Sequence, residues 1–95
     1  MEGIVNQVKD GEEEAFIYEV DGKRLAQMVY MMSDPHKLVI LHTEVDESLK
    51  GLSIGKKLQK ALVEFARANH IKVVPVCPFA KAMFRKMKVW QDVLV

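Results

Sequence analysis

Apolar residues alternate with polar ones along the first part of the chain and then change to helical spacing. Residues 3–8 (GIVNQV) and 15–20 (AFIYEV) are short runs rich in β-branched and aromatic side chains, and they read as two strands. Asp10–Gly11 ends the first run, and Glu12, Glu13 and Glu14 read as a solvated loop edge. Asp21–Gly22 lies between two apolar runs, which is a strong short-range hairpin signal. In residues 24–32, Leu25, Gln27, Val29 and Met31 alternate with Arg24, Ala26, Met28, Tyr30 and Met32. Both faces are largely apolar, so a central strand covered on both sides is expected. Ser33–Asp34–Pro35–His36 has loop composition. From Lys37 a fourth strand follows: strict alternation puts Leu38, Ile40, His42 and Glu44 on one face and Val39, Leu41, Thr43 and Val45 on the other.

The period then lengthens. Ile54, Leu58, Ala61, Leu62, Phe65 and Ala66 recur at helical spacing, opposite Lys56, Lys57, Gln59, Lys60, Glu64 and Arg67. This predicts a helix over 53–69, with Asn69 as a left-handed cap. Residues 71–76 (IKVVPV) read as a fifth strand whose end, at Pro75, is unpaired on one side. Pro78 suits a first helical position, and residues 79–87 fit a second helix with Ala80, Met83, Phe84 and Met87 inward. The tail VWQDVLV is either a last short strand or an apolar cover. The expected fold class is therefore α+β. A four-stranded antiparallel meander leads into strand-helix-strand, with the fifth strand parallel to the fourth or near it, and then a C-terminal helix.

Composition narrows the function classes. The chain has 95 residues, which predicts a single domain over 1–95. A net charge of +1 gives no global field for nucleic acid, so an anion site must be local. No apolar run approaches the roughly 20 residues that span a bilayer, and the N-terminus has no basic-then-apolar leader pattern. Neither a membrane nor a nucleic-acid partner is expected, and no metal site. The lone Cys77 cannot form an intrachain disulfide, and a reducing, cytoplasmic setting is the simplest inference. The state expected is a monomer or a weak homodimer.

Chemistry concentrates between residues 37 and 69. A strand runs through an acidic turn into Lys-Gly-Leu-Ser-Ile-Gly-Lys (50–56) and then a helix. The first N–H groups of a helix are unpaired and carry the positive end of its dipole, so an anion is favoured there. Lys50, Lys56, Lys57 and Lys60 add positive charge. The bland alternative is an ordinary strand-loop-helix with a solvated lysine face. A histidine side chain can act as a base near neutral pH, which makes His42 a candidate for proton handling. Glu44 is an alternative base or an orienting group; otherwise the two are a core histidine and a solvated strand end. Cys77 precedes a helix start, where the dipole favours thiolate. It is also a candidate inert core residue.

On these residues the chain resembles the GNAT superfamily of N-acetyltransferases, in particular its small single-domain members. The segments that carry the resemblance are HTEV, KGLSIGKKL, the helix ending FARAN, IKVVPVCPF and QDVL. The resemblance implies acetyl-CoA as cofactor, with its pyrophosphate on a Gln/Arg-x-x-Gly-x-Gly/Ala loop and its pantetheine arm between splayed fourth and fifth strands. Carried over by position, cofactor contacts are expected from Thr43, Val45, Lys50, Gly51, Leu52, Ser53, Ile54, Gly55, Lys56 and Phe79. Lys50 replaces the Gln/Arg and Ser53 the first motif glycine, while Gly55 is retained. The resemblance also implies acetyl transfer to an amine, on a small molecule or a protein, with a backbone N–H near Glu44 or Val45 as oxyanion donor. The implied catalytic set is Cys77, His42 and Glu44. The helix after Cys77 holds Phe79 and Phe84 and no tyrosine to protonate a leaving thiolate, so Cys77 is a candidate for that proton or for transient acetylation. The alternative is an acyl-CoA-binding module without turnover.

Overall fold

A computed structural model describes residues 3–11 and 13–95. Strands β1 (Ile4–Asp10), β2 (Glu13–Val20), β3 (Lys23–Asp34) and β4 (Lys37–Val45) are sequential antiparallel neighbours. β5 (Lys72–Pro75) lies parallel to β4, giving the order β1-β2-β3-β4-β5. Parallel pairing needs a crossover, and helix α1 (Ile54–Ala68) supplies it. β1 and β2 reach further toward each other than their apolar runs suggest. Glu13 and Glu14 thus belong to β2 rather than to a loop edge, with Lys9 opposite Glu14 across the ladder. The Glu14 carboxylate also accepts a hydrogen bond from the Tyr30 hydroxyl at 2.9 Å. Glu12 lies outside the described residues. Ser33 and Asp34 extend β3, which leaves only Pro35–His36 as the turn.

β3 is central, as its apolar faces imply, but helices cover one face only. There Phe16, Tyr18, Met28, Tyr30, Leu38, Ile40 and Val73 pack against Leu58, Leu62, Val63 and Ala66 of α1 and Ala80 and Phe84 of the second helix. On the opposite face Ala15, Ile17 and Val29 are buried by their strand neighbours Val8 and Leu41 rather than by a second layer. The expectation of cover on both sides of β3 is corrected accordingly. Neighbouring side chains on a pleated surface can bury small and branched residues without a helix above them.

A β-bulge in β4 decides where the polar residues point. Tyr30 pairs with Ile40 and Val29 with His42, so Leu41 is an extra residue. An inserted residue inverts the alternation beyond it. Leu38 and Ile40 face the helices, whereas His42 and Glu44 lie on the open face; Thr43 and Val45 turn to the helix side in their place. The strict alternation read from the sequence fails at this one position.

The two helices hold the other side. α1 buries Ile54, Leu58, Leu62, Val63 and Ala66. Asn69 is not the left-handed cap: its φ is −112°, its Nδ2 donates to the Phe65 carbonyl at 2.8 Å, and His70 takes the positive φ of 56°. Helix α2 (Pro78–Lys86) starts with Pro78 in its first turn, with Ala80 and Phe84 buried and Met83 and Met87 half-buried. The tail does both of the things open to it. A 3-10 segment, Lys88–Val93, buries Trp90 and Val93, and Leu94 then makes a single parallel bridge to Val73. Arg67 clamps this tail through two bonds to Asp92, at 2.9 and 2.6 Å.

Hydrogen bonding from Arg67 holds the Asp92 carboxyl below its usual value of 3.8. A depressed folded-state value means the clamp stabilises the fold above the unfolded value of about 3.9 and is lost as pH falls through the lower folded one. Asp92→Asn should therefore flatten the acid limb of thermal stability below about pH 4. Superimposable pH profiles for the two proteins would show that the clamp does not contribute.

Candidate active site

The turn after β4 is built to present backbone N–H groups. Asp46 caps a 3-10 turn, Glu47–Leu49, by accepting from Ser48 N at 3.0 Å. Gly51 then takes φ 85°, with nothing within 4 Å of where a Cβ would stand. Ser53, the residue before α1, takes φ 58° and its side chain makes no capping hydrogen bond. The first bond into the helix is Lys57 N to Ser53 O at 3.1 Å. Among the described residues, the N–H groups of Ile54, Gly55 and Lys56 have no partner. A left-handed residue followed by helical ones turns successive N–H groups into a concave anion site, reinforced by the helix dipole.

Serine pays for this geometry, since a left-handed non-glycine residue is strained by about 1–2 kcal/mol. Glycine would relieve that strain but add about 0.4–1 kcal/mol of unfolded-state entropy. Ser53→Gly is thus expected to raise stability by about 0.5 kcal/mol in denaturant titration. A measured loss of stability would show that the serine side chain makes a contribution that outweighs the strain.

Above these amides lies a cleft of about 370 Å³. Leu49, Ile54, Phe79, Met83 and Met87 make its apolar walls, and Lys50, Lys56 and Lys86 its cationic rim. Of the four lysines expected here, Lys50 and Lys56 take part. Lys57 instead sits over the Tyr18 ring, 5.9 Å from its centroid, and Lys60 does not line the cleft. Lys86 reaches it from α2. Gly51, Ser53, Gly55 and Val45 line it too, whereas Leu52, which is exposed, and Thr43 do not.

Val45, on the cleft wall, belongs to the end of β4 that borders a gap in the sheet. β4 and β5 pair only as far as Ile40 and Pro75. Val76 N and Cys77 N then both donate to the Ile40 carbonyl, at 3.0 and 3.2 Å, and the strands part. Asp46 N donates to Leu25 O at 2.8 Å, on the β3 side. Antiparallel alternation therefore aims the N–H groups of His42 and Glu44 at β3, and those of Thr43 and Val45 into the gap.

Cys77 sits just before α2, buried, with Sγ 3.4 Å from Thr43 Oγ1. His42 and Glu44 are not with it. Both are exposed on the far face, His42 Nε2 stands 3.8 Å from Glu44 Oε1, and that oxygen accepts from Gln27 Nε2 at 2.7 Å. His42 is consequently no core histidine. Glu44 lines a second cleft of about 360 Å³, with Gln27 and Asp46, that shares Val45 with the first. The residues expected to act together are thus split across the sheet, with the gap between them. Gln27 carried no signal in the sequence beyond its place on a strand, and the bulge that moved His42 and Glu44 has no marker residue.

Residues 15–93 match the family model of GCN5-related N-acetyl-transferases. The chain belongs to this family. A GCN5-like candidate N-acetyltransferase from Staphylococcus aureus, solved by NMR, is 34% identical, with 95% of this chain and 87% of that one covered and a TM-score of 0.72. The same fold, at 12% identity and TM-score 0.69, occurs in a GNAT family acetyltransferase from Elizabethkingia anophelis with acetyl-CoA bound, over 90% of this chain and 74% of that one. It recurs at 20% identity in a ribosomal-protein-alanine N-acetyltransferase from Brucella melitensis, where 83% of this chain covers 65% of the other at TM-score 0.67. No curated sequence shows significant similarity. As a GCN5-related N-acetyltransferase the chain is an acyl-transfer protein with a mixed five-stranded sheet. No helix among the described residues is long and apolar enough to cross a membrane.

Proposed function

We propose that the protein transfers an acetyl group from acetyl-CoA to an amine. The observation that carries this is the row of unpartnered N–H groups at Ile54, Gly55 and Lys56, opening on a lysine-rimmed cleft that meets the β4–β5 gap at Val45. A diphosphate fits that row: the amides supply directed donors, Gly51 leaves open space, and Lys50 and Lys56 supply charge. When bound, acetyl-CoA supplies an acyl thioester and, after transfer, a thiolate.

The residues of the chain have separate tasks. Val45 presents an N–H into the gap, where an oxyanion donor is needed. Glu44, held by Gln27, faces the opposite side of the sheet and accepts the proton of an acceptor ammonium, with His42 beside it as a second base. Cys77 holds a thiol proton directed at Thr43 Oγ1 on the cleft side of the gap. The acceptor thus approaches from the open face, and the cofactor from the helix face. A reducing, cytoplasmic setting and a chain that is a monomer or a weak homodimer belong to the same proposal.

Titration with acetyl-CoA should shift the amide resonances of residues 51–56, and amines offered to the complex should release free thiol. Cys77→Ala should bind acetyl-CoA nearly as well and release thiol more slowly. Unchanged turnover removes Cys77 from proton handling, and unmoved resonances in the turn contradict the diphosphate site. The uncovered acceptor face favours a second reading, an acyl-CoA-binding module; cofactor binding without thiol release from any amine would establish it.

A further inference from the structure

Gln59 is a fully buried polar residue whose Oε1 has no hydrogen-bond partner among the described residues. Its Nε2 donates to the Ala80 carbonyl at 3.2 Å and so ties α1 to the first turn of α2. A buried acceptor left unmade is costly, so an unpaired one calls for an explanation. Its position offers one. Gln59 follows Gly55 by one helical turn on the same side of α1. The Phe79 ring, next to Ala80, fills the space that a Cβ on Gly55 would need. That ring is 38% exposed and lines the cleft, so its outer side faces open space.

We propose that Gln59 Oε1 is the inner acceptor for an amide N–H of the pantetheine arm of acyl-CoA, reached when Phe79 swings off Gly55. This rests on the placement of the diphosphate at the start of α1. The arm carries secondary amides, each with one N–H to satisfy. The side chains lining the cleft give it little to donate to: the lysines are donors only, and Leu49, Ile54, Met83 and Met87 are apolar. Apart from the Ser53 hydroxyl at the mouth, the lining residues carry no side-chain oxygen, and the Gln59 oxygen lies one helical turn beyond Gly55, off the cleft wall. Because it is desolvated before any ligand arrives, pairing it gives up no hydrogen bond to water.

Two ligands isolate this contact: coenzyme A, and 3′-phospho-ADP, which keeps the diphosphate and lacks the arm. Gln59→Met keeps the length of the side chain and removes the acceptor; Gln59→Leu is a second form should the first fold poorly. Calorimetry should show coenzyme A binding weakened about tenfold in either variant, with 3′-phospho-ADP binding unchanged. In the wild type, the Gln59 side-chain amide resonances should move with coenzyme A and not with 3′-phospho-ADP. Undiminished coenzyme A affinity would assign the unpaired oxygen to a buried water and overturn the proposal. Equal weakening of both ligands would also overturn it, since that marks a loosened α1–α2 contact. If neither ligand binds the wild type, the diphosphate placement itself fails, an outcome distinct from the other two.

Discussion

Gly55→Glu should weaken coenzyme A binding by at least about a hundredfold, a loss of about 2.7 kcal/mol, while the chain stays folded. Gly55 supplies one of the unpartnered N–H groups at the start of α1 and lines the cleft. A side chain here displaces the Phe79 ring, which packs directly on the glycine. Its carboxylate then stands at the site proposed for the diphosphate, and like charges at about 4 Å repel by roughly 1–4 kcal/mol at effective dielectrics from water to protein surface. The same charge is favourable at a helix N-terminus, by about 0.3–1 kcal/mol, so the helix itself gains some support. Binding and stability should therefore separate. Calorimetry beside a melting curve checks this: retained affinity would contradict the diphosphate site, and joint loss of fold would leave Ser53 and Lys50 variants to decide.

Phe84→Ala should have the largest effect on stability, a loss of about 3–5 kcal/mol. Phe84 is 2% exposed, and through it α2 docks onto the sheet beside Ala80, Trp90 and Val93. A chain of this length holds only about 5–14 kcal/mol in total at the usual stability per residue. The variant should therefore unfold at a far lower denaturant midpoint with a similar slope. Val89→Ala, at a site 71% exposed, serves as the control and should barely move. A Phe84→Ala loss below about 1 kcal/mol would mean that α2 is not held by its apolar face. α2 also forms one wall of the cleft, so a loosened helix should weaken the proposed coenzyme A binding in parallel.

Much of the fold was legible. Asp21–Gly22 does close the β2–β3 hairpin, and the spacing from Ile54 to Ala66 does make one amphipathic helix with the expected buried face. Pro78 opens α2, and the order of strands follows the order of the apolar runs. Local rules suffice in these cases because turn chemistry and periodicity act over a few residues. The glycine- and lysine-bearing turn ahead of α1 was legible as well, since glycine, lysine and a helix start are all written in adjacent positions.

The candidate catalytic residues were legible as residues and not as an arrangement. Strict alternation kept His42 and Glu44 with Leu38 and Ile40, yet Leu41 bulges and sends the first two to the open face. Cys77 found Thr43 instead, across a sequence separation of 34. Lys57 and Lys60 belong to the same helical turns as Lys56, but only a tertiary neighbour, Tyr18, explains why Lys57 leans away. Gln59 looked like part of the solvated side of α1 and is buried beneath α2.

The sequence by itself determined the elements, their order and the phosphate-type turn, because each depends on backbone preferences and apolar spacing over short distances. Only the tertiary structure decided which side of the sheet each polar group serves, where β4 and β5 part, and that one face of β3 stays uncovered. Those outcomes depend on register between strands far apart in the chain, where one extra residue costs little locally but reverses every side chain after it.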